Sequence, residues 1–123
     1  MANNPLLVSV VDDDESVRES LPDLLKEFGL TSRTFSSAKE FLLSEDLSQT
    51  RCLILDIAMP GMSGLELKRE LERRRMQIPI IFITGNQDDA VRSRAMEGGA
   101  VRCLFKPFSD TALLDALNAA LKL

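Results

Sequence analysis

Two kinds of hydrophobic pattern alternate along the chain. Near-continuous apolar runs stand at residues 6–11, 52–55 and 80–83, and each ends in a polar or acidic residue. Runs of this length and continuity predict strands buried on both faces. Two further strands are less apolar. Residues 31–35 alternate and carry Arg33, and residues 101–105 carry Arg102. Between the strands, apolar residues recur at helical spacing. Val17, Leu21, Leu24, Leu25 and Phe28 form the first stripe, which Gly29 stops. Pro22 sits inside it and predicts either a kink or a late start. Ser36 or Ser37 caps a short helix containing Phe41 and Leu42. A Pro- and Gly-containing loop at 60–64 precedes a helix that runs to about Arg75. A helix over about 88–97 ends at Gly98-Gly99. Its large apolar residues are few, chiefly Val91 and Met96, which predicts a weak hold on the sheet. Ser109 or Asp110 opens the last helix, whose apolar face carries Leu113, Leu114, Leu117 and Leu121.

Strands that alternate with helices predict an α/β fold, a parallel sheet with helices on both faces. The continuously apolar strands 1, 3 and 4 belong in the middle, and the Arg-bearing strands 2 and 5 at the edges. A doubly wound, five-stranded sheet of order 2-1-3-4-5, as in flavodoxin-like folds, satisfies both demands. Its switch point lies between strands 1 and 3, where ligands bind at the carboxyl ends. The 123 residues, 45% hydrophobic and 28% charged, suffice for a single globular domain over 1–123. The polar head at 2–5 is expected to fray.

Charge and composition remove several function classes. The net charge of −4 opposes nucleic-acid binding by this segment. The one basic run, Arg73-Arg74-Arg75, stands at a helix end, where cations suit the dipole. Two cysteines and no histidine offer no zinc or redox spacing, so Cys52 and Cys103 read as small buried hydrophobes. No apolar stretch approaches the ~20 residues of a membrane span, and no secretory signal is visible, which predicts a cytoplasmic protein.

The switch point is where the chemistry collects. After strand 1 come Asp12, Asp13, Asp14 and Glu15; after strand 3, Asp56; after strand 4, Thr84; after strand 5, Lys106. Taken singly each has a plain structural role. Asp12–Asp14 suits a helix N-terminus, and Asp56 suits a turn. Together they form an acidic rim whose carboxylates repel unless a cation or proton intervenes. Oxygen ligands without Cys or His select a hard ion, and Mg²⁺ keeps waters that a phosphate can replace. Lys106 adds a compact positive charge and Thr84 a hydroxyl donor for the same anion. Asp14 and Glu15 read as helix-start residues rather than ligands.

Four stretches carry a family resemblance: Val10-Val11-Asp12-Asp13-Asp14, Leu55-Asp56-Ile57-Ala58-Met59-Pro60-Gly61-Met62-Ser63-Gly64, Ile83-Thr84-Gly85 and Lys106-Pro107-Phe108. In order and kind they resemble the signatures of receiver domains of two-component response regulators. Phe35-Ser36-Ser37-Ala38 and the wording from Met59 to Leu67 are most similar to the FixJ-like subgroup, whose members often carry a C-terminal helix-turn-helix. The resemblance implies a phosphoacceptor rather than an enzyme acting on free substrates, one that catalyses at most its own phosphorylation and dephosphorylation. It implies that Asp56 attacks a phosphohistidine on a sensor histidine kinase or phosphotransfer protein. It also implies Mg²⁺ held by Asp13 and Asp56 directly, by Asp12 through water and by the Ala58 carbonyl. Lys106 would pair with the acyl phosphate, and Thr84 would shift to hydrogen-bond it. Lys106-Pro107 is expected in cis, which would aim Lys106 into the site. The helix over 88–97, strand 5 and the last helix would form the face that dimerises or grips a partner, with transcription as an output.

One position departs from the family. Tyr or Phe usually stands three residues before the lysine, and here it is Cys103. That leaves phosphorylation intact and puts the aromatic output switch in doubt. Three rival readings share the fold. A flavin carrier wants a Ser/Thr/Gly-rich loop after strand 1, where this chain has acids. A metal-dependent phosphohydrolase wants a second acid at the position of Ala58. A receiver that works without phosphorylation has no need of the complete acidic set.

Overall fold

The computed structural model describes residues 6–85 and 89–122. Among these residues, β1 (Leu7–Val11), β2 (Thr31–Phe35), β3 (Cys52–Asp56), β4 (Ile80–Thr84) and β5 (Arg102–Phe105) form one sheet, ordered β2-β1-β3-β4-β5. All four pairings are parallel. The helices α1 (Glu15–Glu27), α2 (Ala38–Leu42), α3 (Gly64–Arg73), α4 (Asp89–Glu97) and α5 (Asp110–Leu121) alternate with them, and a 3₁₀ turn at Leu47–Gln49 precedes β3. The order is the one that strand character predicts. Every residue of β3 and β4 is buried, whereas Arg33 and Arg102 stand exposed on the two edge strands.

Alternation along the strands divides the core in two. Val8, Val10, Cys52, Ile54, Ile81 and Ile83 face α1 and α5, meeting Leu21, Leu25, Leu113 and Leu117. Val11, Leu53, Leu55, Phe82 and Cys103 face α2, α3 and α4, meeting Phe41, Leu67, Leu71 and Ala95. Cys52 and Cys103 therefore lie on opposite faces of the sheet, and both are free and buried. Burial pushes the Cys52 thiol up to about 12, consistent with an inert hydrophobe.

Element ends refine the sequence reading. Helix α1 begins at Glu15, so Pro22 does not mark a late start. The helix carries it in its interior, at the cost of the hydrogen bond that Arg18's carbonyl would otherwise accept. Ser37, not Ser36, caps α2, and Ser109, not Asp110, caps α5. Val101 falls just outside β5, though its N–H still reaches Ile80 O at 2.8 Å. Helix α3 stops at Arg73 instead of Arg75. Arg75 turns left-handed (φ 60°), and the N–H groups of Arg75 and Met76 fold back to Glu72 O and Leu71 O, both at 2.9 Å. Helix α1 ends the same way with Gly29 (φ 80°) in that role. The anticipated head at 2–5 and the start of α4 at Asp88 lie outside the described residues. In α4 the buried residue is Ala95; Val91 is half-buried and Met96 is exposed, so the small residue, not Met96, makes the deepest contact.

Candidate phosphoacceptor site

The carboxyl ends of β1, β3, β4 and β5 meet at one rim. Ladder pairing fixes the levels. Asp56 closes β3 opposite Ile83, and Thr84 closes β4 opposite Phe105. Backbone bonds continue past the strand ends, from Asp12 N to Phe35 O at 3.1 Å and from Lys106 N to Thr84 O at 2.8 Å. Asp12, Asp56 and Thr84 are buried, and Asp13 is exposed. One carboxylate oxygen from each of Asp12, Asp13 and Asp56 lies within 4.8 Å of the other two.

Lys106 Nζ approaches both buried acids, 2.8 Å from Asp12 Oδ2 and 3.7 Å from Asp56 Oδ2. The peptide that follows it, Lys106-Pro107, is cis. Asp12 Oδ2 is buried and close to this cation, yet it receives no aligned hydrogen bond. A buried carboxylate oxygen without an aligned hydrogen bond is one that a hard cation can satisfy. The donor set fits Mg²⁺: three carboxylates, no soft ligand, and an exposed Asp13 on the solvent side. Ala58 is exposed two residues beyond Asp56, and its N–H donates to Asp56 Oδ1 at 3.3 Å.

The electrostatics follow from burial. Desolvation raises the Asp56 carboxyl, the Asp12 carboxylate raises it further, and Lys106 and the Ala58 N–H offset part of this; the result is about 7. Burial opposes the charge on Lys106, but the close contact with Asp12 and the carboxylates of Asp56, Asp12 and Asp14 outweigh it and hold its pKa above the ordinary value. Asp14 belongs to the helix. Its carboxylate accepts from Ser16 N at 2.9 Å and Ser16 Oγ at 2.7 Å, capping α1, and these bonds hold its pKa below the ordinary value. Glu15 stands in the first turn.

Two further residues contribute through contacts that the sequence does not show, Gly64 from within the signature stretch and Arg18 from outside it. Gly64 opens α3 directly against the end of β3, and a Cβ there would collide with Asp56 O and Ile57 Cα. The glycine that ends the stretch from Leu55 to Gly64 is thus needed for close approach behind the site. Arg18, on α1, donates from Nη1 to Asp12 O at 2.9 Å. Spacing gives no sign of either contact, since both cross between elements.

A family model for the response regulator receiver domain matches residues 8–118. The chain belongs to that family. Nodulation protein W of Bradyrhizobium diazoefficiens is 50% identical over 119 residues, covering 97% of this chain and 52% of that protein. The response regulator protein TodT of Pseudomonas putida is 44% identical over 123 residues, covering 100% of this chain and 54% of that protein. The chain thus spans about half the length of the curated relatives it matches. Among solved structures, FixJ-N superposes with a TM-score of 0.86 at 38% identity, covering 98% of this chain and 96% of that one. StyR superposes with 0.88 at 46% identity, covering 97% and 60%. These similarities bear out the FixJ-like resemblance and the receiver fold. The family is one of signalling domains, not of catalytic enzymes, and its members work with histidine kinases and output domains. Among the described residues no helix is long and apolar enough to cross a membrane.

The position of the missing aromatic is filled compactly. Cys103 is buried on the face shared with α2, α3 and α4, whereas Phe108 packs on the opposite face, with α1 and α5. Phe108 therefore does not stand in for a ring at that position.

Proposed function

We propose that Asp56 is the phosphoacceptor of this receiver domain, and that Asp12, Asp13, Asp56 and the Ala58 carbonyl hold Mg²⁺. The observation that carries the reading is the cluster itself: a buried Asp56 with an oxygen within 4.8 Å of one from each of two further carboxylates, and Lys106 at its edge. When bound, Mg²⁺ supplies positive charge to the carboxylates and to the phosphoryl oxygens. An Asp56 carboxylate oxygen attacks phosphorus, an O–P bond forms, and the P–N bond to the donor histidine breaks, its electron pair leaving with the imidazole. Lys106 then matches the new charge on the acyl phosphate, and the Thr84 hydroxyl donates to it. The chain's own catalysis goes no further than its phosphorylation and dephosphorylation.

The donor is a sensor histidine kinase or phosphotransfer protein of the cytoplasm. The phosphorylated state is read on the face made by α4, β5 and α5, where Met96 and Leu114 are exposed. It is read there by a second copy, a partner or a transcriptional output. Acetyl phosphate with Mg²⁺ tests the assignment by mass spectrometry of the intact protein. Wild type should gain one phosphoryl group and Asp56→Asn none. Incorporation that persists in Asp56→Asn sinks it.

A further inference from the structure

Arg18 stands at the end of the first turn of α1, where the helix dipole disfavours a cation. Its guanidinium serves the main chain of the loop that carries the acids, bonding Asp12 O at 2.9 Å. That loop is also fastened by Asp12 N to Phe35 O, by Asp14 N to Asp12 Oδ1 at 2.9 Å, by Lys106 Nζ at 2.8 Å from Asp12 Oδ2, and by the Ser16 donors to Asp14. Asp13 has no fastening of its own: among the described residues its side chain makes no hydrogen bond or ion pair. Its direction depends on the peptide planes on either side.

We propose that Arg18 is a positioning residue for the acidic pocket. It fixes the peptide between Asp12 and Asp13, and with it the direction in which both carboxylates leave β1. The proposal rests on the reading of Asp12, Asp13 and Asp56 as a Mg²⁺ site. A cation beside a cation site acts in two opposite senses. Its charge repels the metal, and its hydrogen bond preorganises the ligands. Arg18 is half-buried, and its guanidinium is bonded directly to the main chain that bears two of the ligands, so positioning dominates. Loss of a group that orients metal ligands typically costs roughly 10–100-fold in metal affinity.

Calorimetric titration with MgCl₂ at fixed ionic strength decides the sign. Arg18→Met keeps the apolar stem and removes both charge and donors. It should bind Mg²⁺ about tenfold more weakly than wild type, while the metal-free melting temperature moves little. In phosphorylation by acetyl phosphate it should raise the half-saturating Mg²⁺ concentration and leave the rate at saturating Mg²⁺ near wild type. Mg²⁺ binding as tight as wild type, or tighter, in Arg18→Met overturns the proposal, because the guanidinium would then be only a neighbouring charge. Asp13→Asn in the same titration separates the two readings. If it binds Mg²⁺ as wild type does, the metal site itself is wrong.

Discussion

Asp56 faces two demands that conflict. As the proposed nucleophile it would have to be an anion, yet burial and the Asp12 carboxylate favour its protonated form and place its pKa near 7. The folded, metal-free protein therefore holds a proton that the unfolded chain, with a carboxyl near 3.9, releases. That stability is fully present below about pH 4 and is lost as pH rises toward 7, a contribution on the order of a few kcal/mol. Asp56→Asn cannot lose it. Between pH 4 and pH 7 without metal, the unfolding free energy of wild type should fall relative to that of Asp56→Asn, measured by urea titration at each pH. A constant difference across that window would mean that Asp56 is ionised throughout. Asp12, though equally buried, is held differently: Lys106 stands at 2.8 Å and the Asp14 N–H donates to its other oxygen. One acid in close contact with the cation and one farther from it, at 3.7 Å, is an arrangement that admits a further positive charge.

At the scale of elements, the helix ends carry the clearest strain. Gly29 and Arg75 occupy the same left-handed position after α1 and α3, but only glycine does so without a Cβ penalty. Arg75→Gly should stabilise the domain by about 0.5–1 kcal/mol, the relief being partly offset by the added freedom of the unfolded chain. An unchanged or lower midpoint in denaturant would show that Arg75 makes a compensating contact. Helix α4 is held lightly, with Ala95 its buried residue, and one cross-helix tie reinforces it. Lys68 of α3, itself buried, donates to the carbonyl of Gly98 at the C-terminus of α4 and pairs with Glu72 at 3.2 Å. A lysine at a helix C-terminus suits both the free carbonyl and the dipole. Lys68→Met should leave the sheet intact and speed amide exchange selectively in α4 and the turn after it. Equal protection in α4 would show that side-chain packing alone holds the helix.

For the whole molecule, ligand binding and stability are one quantity. Mg²⁺ at tenfold excess over its Kd should add about 1.4 kcal/mol, or roughly 3–6 °C in melting temperature for a domain of this size. Asp13→Asn should remove most of that shift; an equal shift in the variant would place the metal elsewhere. The sequence by itself determined the element order, the central and edge strands, and the set of residues at the switch point. Each is written in a local period or in a residue's place at the end of an apolar run. Continuous apolar runs cannot be edge strands, and Arg33 and Arg102 cannot be central ones. Only the tertiary structure decided how those residues meet. That Lys106 sits nearer Asp12 than Asp56, that Gly64 must lack a Cβ, that Lys68 ties α3 to α4, and that Arg18 holds the Asp12 carbonyl are contacts between elements. Their partners share no local period. Their distances follow from how three helices and three strand ends pack against one another, and the order of residues along the chain does not encode them locally.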